Sequence, residues 1–167
     1  SALYFTAWEP EHGRELWKSD GTAEGTALVK DITDDTGTAQ SFERSGEMSF
    51  RELLPIGGRL LFTTWSPESG VELWVSDGTS EGTAVVRDIV PGPGSSYPTD
   101  LTADGLTAFF SAWDPENGRE LWQTDGTEAG TARISDVRVA EALDTGADKI
   151  AASCSFCLLM LGSSSAK

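Results

Sequence analysis

The apolar positions of this chain do not recur every three or four residues. They come in short alternating runs closed by turn-forming residues. Leu3–Ala7 (LYFTA) alternates and is rich in aromatic and β-branched side chains, the composition of a half-buried strand. Glu9–Gly13 (EPEHG) holds a Pro and a Gly and predicts a turn. Arg14–Ser19 predicts a second strand. In Ser19–Thr26 (SDGTAEGT) an Asp-Gly pair is followed by another Gly, which predicts a hairpin connection with positions that tolerate φ > 0. Ala27–Ile32 predicts a third strand.

The same order returns twice. Leu3–Ile32, Leu60–Ile89 and Ala108–Val137 align without a gap, as LYFTAWEPEHGRELWKSDGTAEGTALVKDI, LLFTTWSPESGVELWVSDGTSEGTAVVRDI and AFFSAWDPENGRELWQTDGTEAGTARISDV. All six tryptophans fall at two fixed places in these units: Trp8, Trp65 and Trp113, then Trp17, Trp74 and Trp122. A scarce residue in that register marks an internal repeat. The second unit starts 57 residues after the first and the third 48 after the second, where blade-type repeats run roughly 40–50. The first spacer, Thr33–Arg59, carries an extra segment around Ser41–Phe50; the second, Val90–Thr107, is turn-rich. Each spacer predicts a fourth strand, Arg51–Pro55 in one and Thr99–Thr102 in the other. Four short antiparallel strands per period is the content of a propeller blade.

The two faces agree with this. On Arg14–Ser19, Leu16 points to one side and Trp17 to the other. A single two-layer sheet would leave one of them in water, whereas stacked blades bury both. The paired tryptophans are expected to fill the gaps between neighbouring blades, each burying ~200 Å². The expected fold is all-β: a propeller-like array of three four-stranded antiparallel blades over residues 1–137, followed by a short, partly helical α/β tail over 138–167. In the tail, Arg138–Leu143 reads as a helical turn or two, Asp148–Ser153 as a strand and Phe156–Leu161 as a short apolar helix.

The string Glu-Leu-Trp-x-x-Asp-Gly-Thr-x-x-Gly-Thr occurs at Glu15–Thr26, Glu72–Thr83 and Glu120–Thr131. It resembles the ELWxxDGT repeat family of bacterial surface and secreted proteins, over about residues 2–137. The resemblance implies a β-propeller-like array and an extracellular or cell-surface setting, and brings no enzymatic activity with it. Arrays of that family usually hold more than three repeats, which points to a piece of a longer protein. In the tail, Gly146–Leu161 (GADKIAASCSFCLLML) resembles the end of the cysteine-rich CCG-type domain of heterodisulfide-reductase-like and glycolate-oxidase-like iron–sulfur proteins. There the closing Cys-x-x-Cys follows a strand and opens a helix. Cys154 and Cys157 match that spacing, but the upstream Cys-Cys-Gly is missing, and two thiolates alone cannot hold a four-ligand cluster. Three readings stand for this pair: buried or reduced thiols, a redox dithiol, or half of a metal site completed by another chain.

Charge narrows the partners. With 27 acidic against 12 basic residues the net charge is −15, which disfavours nucleic acid. It suits a solvated surface or carboxylates that meet divalent ions. The longest apolar run, Phe156–Leu161, falls far short of the ~20 residues of a membrane span. Ser1 runs straight into a strand with no Met and no signal-peptide pattern, so the natural start is expected to have been removed or to lie further upstream. The two cysteines lie outside the repeats, so no disulfide framework holds them.

The recurring acids are the first candidates for chemistry. Asp20, Asp77 and Asp125 open the Asp-Gly-Thr loops. One reading has each carboxylate accepting backbone N–H groups two residues on, fixing the turn; such a turn is similar in part to the Asp-box of sialidases. The other is a Ca²⁺ site built from the carboxylate, loop carbonyls and Thr oxygens. Glu15, Glu72 and Glu120, with Glu11, Glu68 and Glu116, could pair as a glycosidase acid and base. They recur in every unit, however, and an active site occurs once, so a scaffold role is expected. Asp31, Asp88 and Asp136 are expected to cap turns, and Arg14 and Arg119 to pair with a neighbouring Glu at the rim. His12 is the only histidine, matched by Ser69 and Asn117, which leaves no Ser-His-Asp triad and no His-rich metal site.

These residues lead to a non-enzymatic binding or scaffold module serving adhesion or assembly. Its expected partners are neighbouring repeats, a second copy, or a glycan or protein surface ligand. Three blades fall short of the usual minimum of about four for closure, and two chains would supply six. The alternative is a non-catalytic or partial propeller region of a secreted hydrolase. For that, Glu43, Glu47 and Glu52 in the first spacer form the only non-repeated acid cluster.

Overall fold

The computed structural model describes residues 2–33 and 50–137. Its strands are β1 (Leu3–Glu9), β2 (Gly13–Ser19), β3 (Ala27–Lys30), β4 (Arg51–Ile56), β5 (Arg59–Ser66), β6 (Gly70–Ser76), β7 (Ala84–Val85), β8 (Thr99–Asp104), β9 (Thr107–Asp114), β10 (Gly118–Thr124) and β11 (Ala132–Arg133). They form three separate open antiparallel sheets in the orders β1-β2-β3, β4-β5-β6-β7 and β8-β9-β10-β11. The tail residues 138–167, with Cys154 and Cys157, lie outside the described residues, as do Glu43 and Glu47. The chain divides into two compact units, Ser1–Thr131 and Ala132–Lys167. Of the second, residues 132–137 are described: β11, then a helical turn whose Asp136 accepts from Arg133 of β11 on both oxygens, at 2.9 and 3.0 Å.

The repeat is visible in the register. Phe5 faces Trp17, Phe62 faces Trp74 and Phe110 faces Trp122 across the central hairpins. The last two pairs stack, with centroids 6.4 Å apart in each, a contact worth ~1 kcal/mol beyond the area it buries. Because side chains alternate along a strand, this aromatic face lies opposite a face carrying Leu16, Leu73 or Leu121.

The sheets of the first unit stack by pairing unlike faces. Leu16 of the first sheet meets Leu60, Phe62 and Trp74 of the second, in a cluster that includes Val29, Ile32 and Phe50. Leu61 and Leu73 of the second meet Ala108, Phe110, Ala112 and Trp122 of the third, with Ile56 and Val86. The leucine faces of the first two sheets are covered by the aromatic face of the next sheet, so the stack has a direction. Cations lock the same seams. Lys30 donates to the Thr83 carbonyl at 2.7 Å, and Arg87, its equivalent one repeat later, donates to the Thr131 carbonyl at 2.7 Å. Lys18 reaches the Gly78 carbonyl, and Arg59 those of Asp125 and Gly126.

Three expectations need correcting. The strand in each spacer belongs to the unit that follows it: β4 pairs with β5, and β8 with β9. The first sheet accordingly has three described strands, since a counterpart of β4 and β8 would have to precede β1. The third strand shrinks to two residues in β7 and β11. Nor are both tryptophans of each unit buried. Trp74 and Trp122 are, at 8% and 6% exposure, but Trp8 and Trp113 are 43% and 39% exposed. The exposed ones sit at the turn end of the hairpin, paired with Arg14 and Arg119.

Candidate functional site

The Asp-Gly-Thr loops are three copies of one hydrogen-bonded object. Asp20 Oδ1 accepts from the Thr22 N–H at 2.9 Å and the Thr22 hydroxyl at 2.7 Å. Asp77 does the same with Thr79, and Asp125 with Thr127, at 2.6–2.9 Å. The threonine hydroxyl in turn accepts the N–H of Gly25, Gly82 or Gly130. The closing Thr26, Thr83 or Thr131 donates its hydroxyl back to the first threonine's carbonyl at 2.6 Å.

Both glycines of the motif follow from this geometry. Gly21, Gly78 and Gly126 lie at φ of 97°, 88° and 83°, where a side chain is strained. At Gly25, Gly82 and Gly130 a Cβ would fall on the carboxylate of Asp20, Asp77 or Asp125. The hydrogen bonds from the threonines hold all three carboxyls below the ordinary aspartate value. These bonds are those of the turn-fixing reading. Ca²⁺ takes six to eight oxygens, and one oxygen of each carboxylate already faces two donors.

The glutamate of the Glu-Leu-Trp string has a different task. Glu15 and Glu72 are fully buried. Glu15 Oε1 accepts the Thr33 N–H at 2.7 Å and its hydroxyl at 2.6 Å. Glu72 Oε1 accepts the N–H groups of Val90, the repeat equivalent of Thr33, at 3.3 Å and of Ser96 at 3.1 Å, while Oε2 accepts the Ser96 hydroxyl at 2.5 Å. Each carboxyl thus ties its central strand to the chain leaving for the next unit. Burial pushes both up to about 7, against the downward pull of those hydrogen bonds. Glu15 Oε2 is buried without a hydrogen-bond partner among the described residues, which suits a neutral carboxyl. A pair of acids flanking a cleft, as glycoside cleavage needs, is not what these contacts build.

His12 sits in the turn between β1 and β2, close to Glu9 and Glu11, the one cluster of three metal-ligand side chains among the described residues. The matching turns account for it. Ser66 bonds the Ser69 N–H and hydroxyl, and Asp114 Oδ1 accepts from the Asn117 backbone and side chain at 2.8 and 2.9 Å. The Glu9–His12 contact is this same clasp with an ion pair in it. Glu9 draws the His12 pKa up, and His12 draws that of Glu9 down.

Some of the other acids are also engaged. Glu52 Oε2 accepts the Leu101 N–H at 3.0 Å, joining β4 to β8. Glu52 and its equivalent Asp100 sit in matching strand bulges at φ of 56° and 62°. Asp88 caps a turn through the Gly92 N–H at 3.0 Å. Arg119 departs from the expected acid pairing: its guanidinium reaches the Tyr97 and Ser111 carbonyls at 3.2 and 3.4 Å.

No protein-family model, curated protein or solved structure matches this chain.

The sequence reading missed the seam cations. Their signal was the basic residue at Lys30 and Arg87, one step before the closing Asp-Ile, replaced by Ser135 in the third unit.

Proposed function

We propose that this chain is a non-enzymatic scaffold and binding module, a propeller-like array whose repeats hold a surface in shape for adhesion or assembly at the cell exterior. The observation that carries this reading is the engagement of the recurring polar residues. Asp20, Asp77 and Asp125 fix turns, Glu15 and Glu72 hold the chain between units, and Lys30 and Arg87 lock sheet to sheet. A scaffold position recurs in every unit; a reaction centre does not. The half-exposed Trp8 and Trp113 at the hairpin turns offer flat amphipathic surface of the kind enriched in binding sites. Ca²⁺, if bound, would have to use the second carboxylate oxygens of the three loops.

The test is binding and turnover measured together. The intact chain is offered immobilised glycans and cell-surface proteins, and the same panels are assayed for hydrolysis. Binding without turnover, weakened by Trp113→Ala, is the expected result. Turnover abolished by Glu52→Gln would overturn the proposal in favour of a hydrolase.

A further inference from the structure

The positions that are buried in the middle of the stack are exposed at its two ends, on opposite faces. On the leucine face, Leu16 and Leu73 are 0% and 1% exposed, whereas their counterpart Leu121 in the third sheet is 52% exposed. On the aromatic face, Leu60 and Ala108 are 4% and 0% exposed, whereas their counterpart Leu3 in the first sheet is 67% exposed. Trp17 is likewise less buried than Trp74 and Trp122. Among the described residues, the first sheet therefore ends on a partly exposed aromatic face and the third on a partly exposed leucine face. Inside the chain these two kinds of face meet twice, in the same order each time.

We propose that the occupant of both ends is a second copy of this chain, docked head to tail, with the Leu121 face of one copy on the Leu3–Trp17 face of the other. The internal seams are the template: each joins a leucine face to an aromatic face, never like to like. Such an interface is heterologous, and it closes into a ring only if the rotation from copy to copy allows it. The acceptor side of the lock is also in place. The 20–26 loop of the first sheet has the same folded hydrogen bonds as the two loops whose carbonyls receive Lys18, Lys30, Arg59 and Arg87.

What the third sheet lacks at the matching positions is a cation. Thr107 stands where Arg59 does, Gln123 where Lys18 does and Ser135 where Lys30 and Arg87 do, so the inter-copy seam keeps its apolar match without the cation. The net charge of −15 on each copy adds repulsion, which salt screens over a Debye length of about 10 Å at 0.1 M. The association is therefore weaker than the internal seams, strengthened by salt, and improvable by one substitution. This goes beyond the scaffold reading and does not depend on it, since a monomer could serve the same function.

The test is sedimentation velocity on the whole chain, across concentration and at low and high salt. The expected result is a mass that rises from the 17.8 kDa monomer to a dimer or a head-to-tail ladder, more readily at high salt. Leu121→Glu and Leu3→Glu, both at exposed positions that leave the monomer fold intact by circular dichroism, should each weaken association at least about tenfold. Mixed together they should recover a 1:1 complex, because each retains the face the other has lost. Thr107→Arg should tighten association. A monomer throughout the range, or association that survives either glutamate substitution, would overturn the proposal.

Discussion

Replacing Glu72 by Gln probes one of two fully buried carboxyls in the described residues. The carboxyl is fully buried and accepts two backbone N–H groups and the Ser96 hydroxyl. Burial raises it from 4.5 to about 7. A group raised on folding contributes stability that is fully present below its unfolded value and is lost as pH climbs through its folded value. Stability should therefore fall between about pH 4.5 and 7, by roughly 3 kcal/mol for this one residue at about 1.4 kcal/mol per unit of displacement. Glu15, raised to about 7 in the same way, adds a second loss of the same sign.

Gln has the same shape and no charge. Its carbonyl can take the Val90 and Ser96 N–H groups, and its amide can donate to the Ser96 hydroxyl. Urea unfolding followed by tryptophan fluorescence, from about pH 5 to 8, should give near-equal stability for the two proteins at the acid end. At the alkaline end the Gln variant should be more stable by up to roughly 3 kcal/mol. Glu72→Ala, by contrast, should be destabilised at every pH, because it leaves buried donors without acceptors at roughly 1–3 kcal/mol each. Wild-type and Gln curves that run parallel over the whole range would refute the argument.

Other outcomes follow from the same contacts. Below the ordinary aspartate value of 3.8 the lowered Asp20, Asp77 and Asp125 protonate, and the stability they contribute is lost as pH falls through their folded values; an acid melt should show this as a second decline, leaving an optimum near pH 4–5. Gly82→Ala drives a methyl into the Asp77 carboxylate and should cost roughly 1–3 kcal/mol. In a double-mutant cycle with Asp77→Ala that cost should shrink. Leu73→Ala should cost about 2–5 kcal/mol, and the same change at the half-exposed Leu121 under about 1 kcal/mol in the monomer. His12→Asn installs the residue that clasps the third unit's turn and should change stability by no more than about 0.5 kcal/mol.

The strands and the sheet count were legible because they rest on local signals. Alternation over Leu3–Ala7 and the Pro and Gly of the turns fix each hairpin without distant help. The spacer strand was legible too, but not its owner. Arg51–Ile56 carries no mark saying that it pairs forward with β5 rather than back with β3, since both partners offer the same backbone groups. The tryptophan pattern overstated burial for a related reason: recurrence shows that a position matters in every unit, not which end of the neighbouring sheet lies over it. The turn role of Asp20 was readable from its offset to Thr22. The role of Glu15 was not, because its partner Thr33 lies 18 residues away and only the pairing of β2 with β3 brings them together.

A signature that only builds a scaffold and one that forms ion sites respond differently to Ca²⁺. The direct test is a melting comparison of the wild-type chain with the triple variant Asp20→Asn, Asp77→Asn, Asp125→Asn, near neutral pH, with Ca²⁺ and with chelator. Asn keeps the oxygen that accepts the Thr22, Thr79 and Thr127 donors, but it is a much poorer calcium ligand. For a scaffold signature, neither protein should respond to Ca²⁺ and the variant should melt within a few degrees of wild type. A Ca²⁺-dependent rise in the wild-type melting temperature that the triple variant has lost would contradict it, since saturating ligand at about a hundred times Kd would add roughly 2.7 kcal/mol.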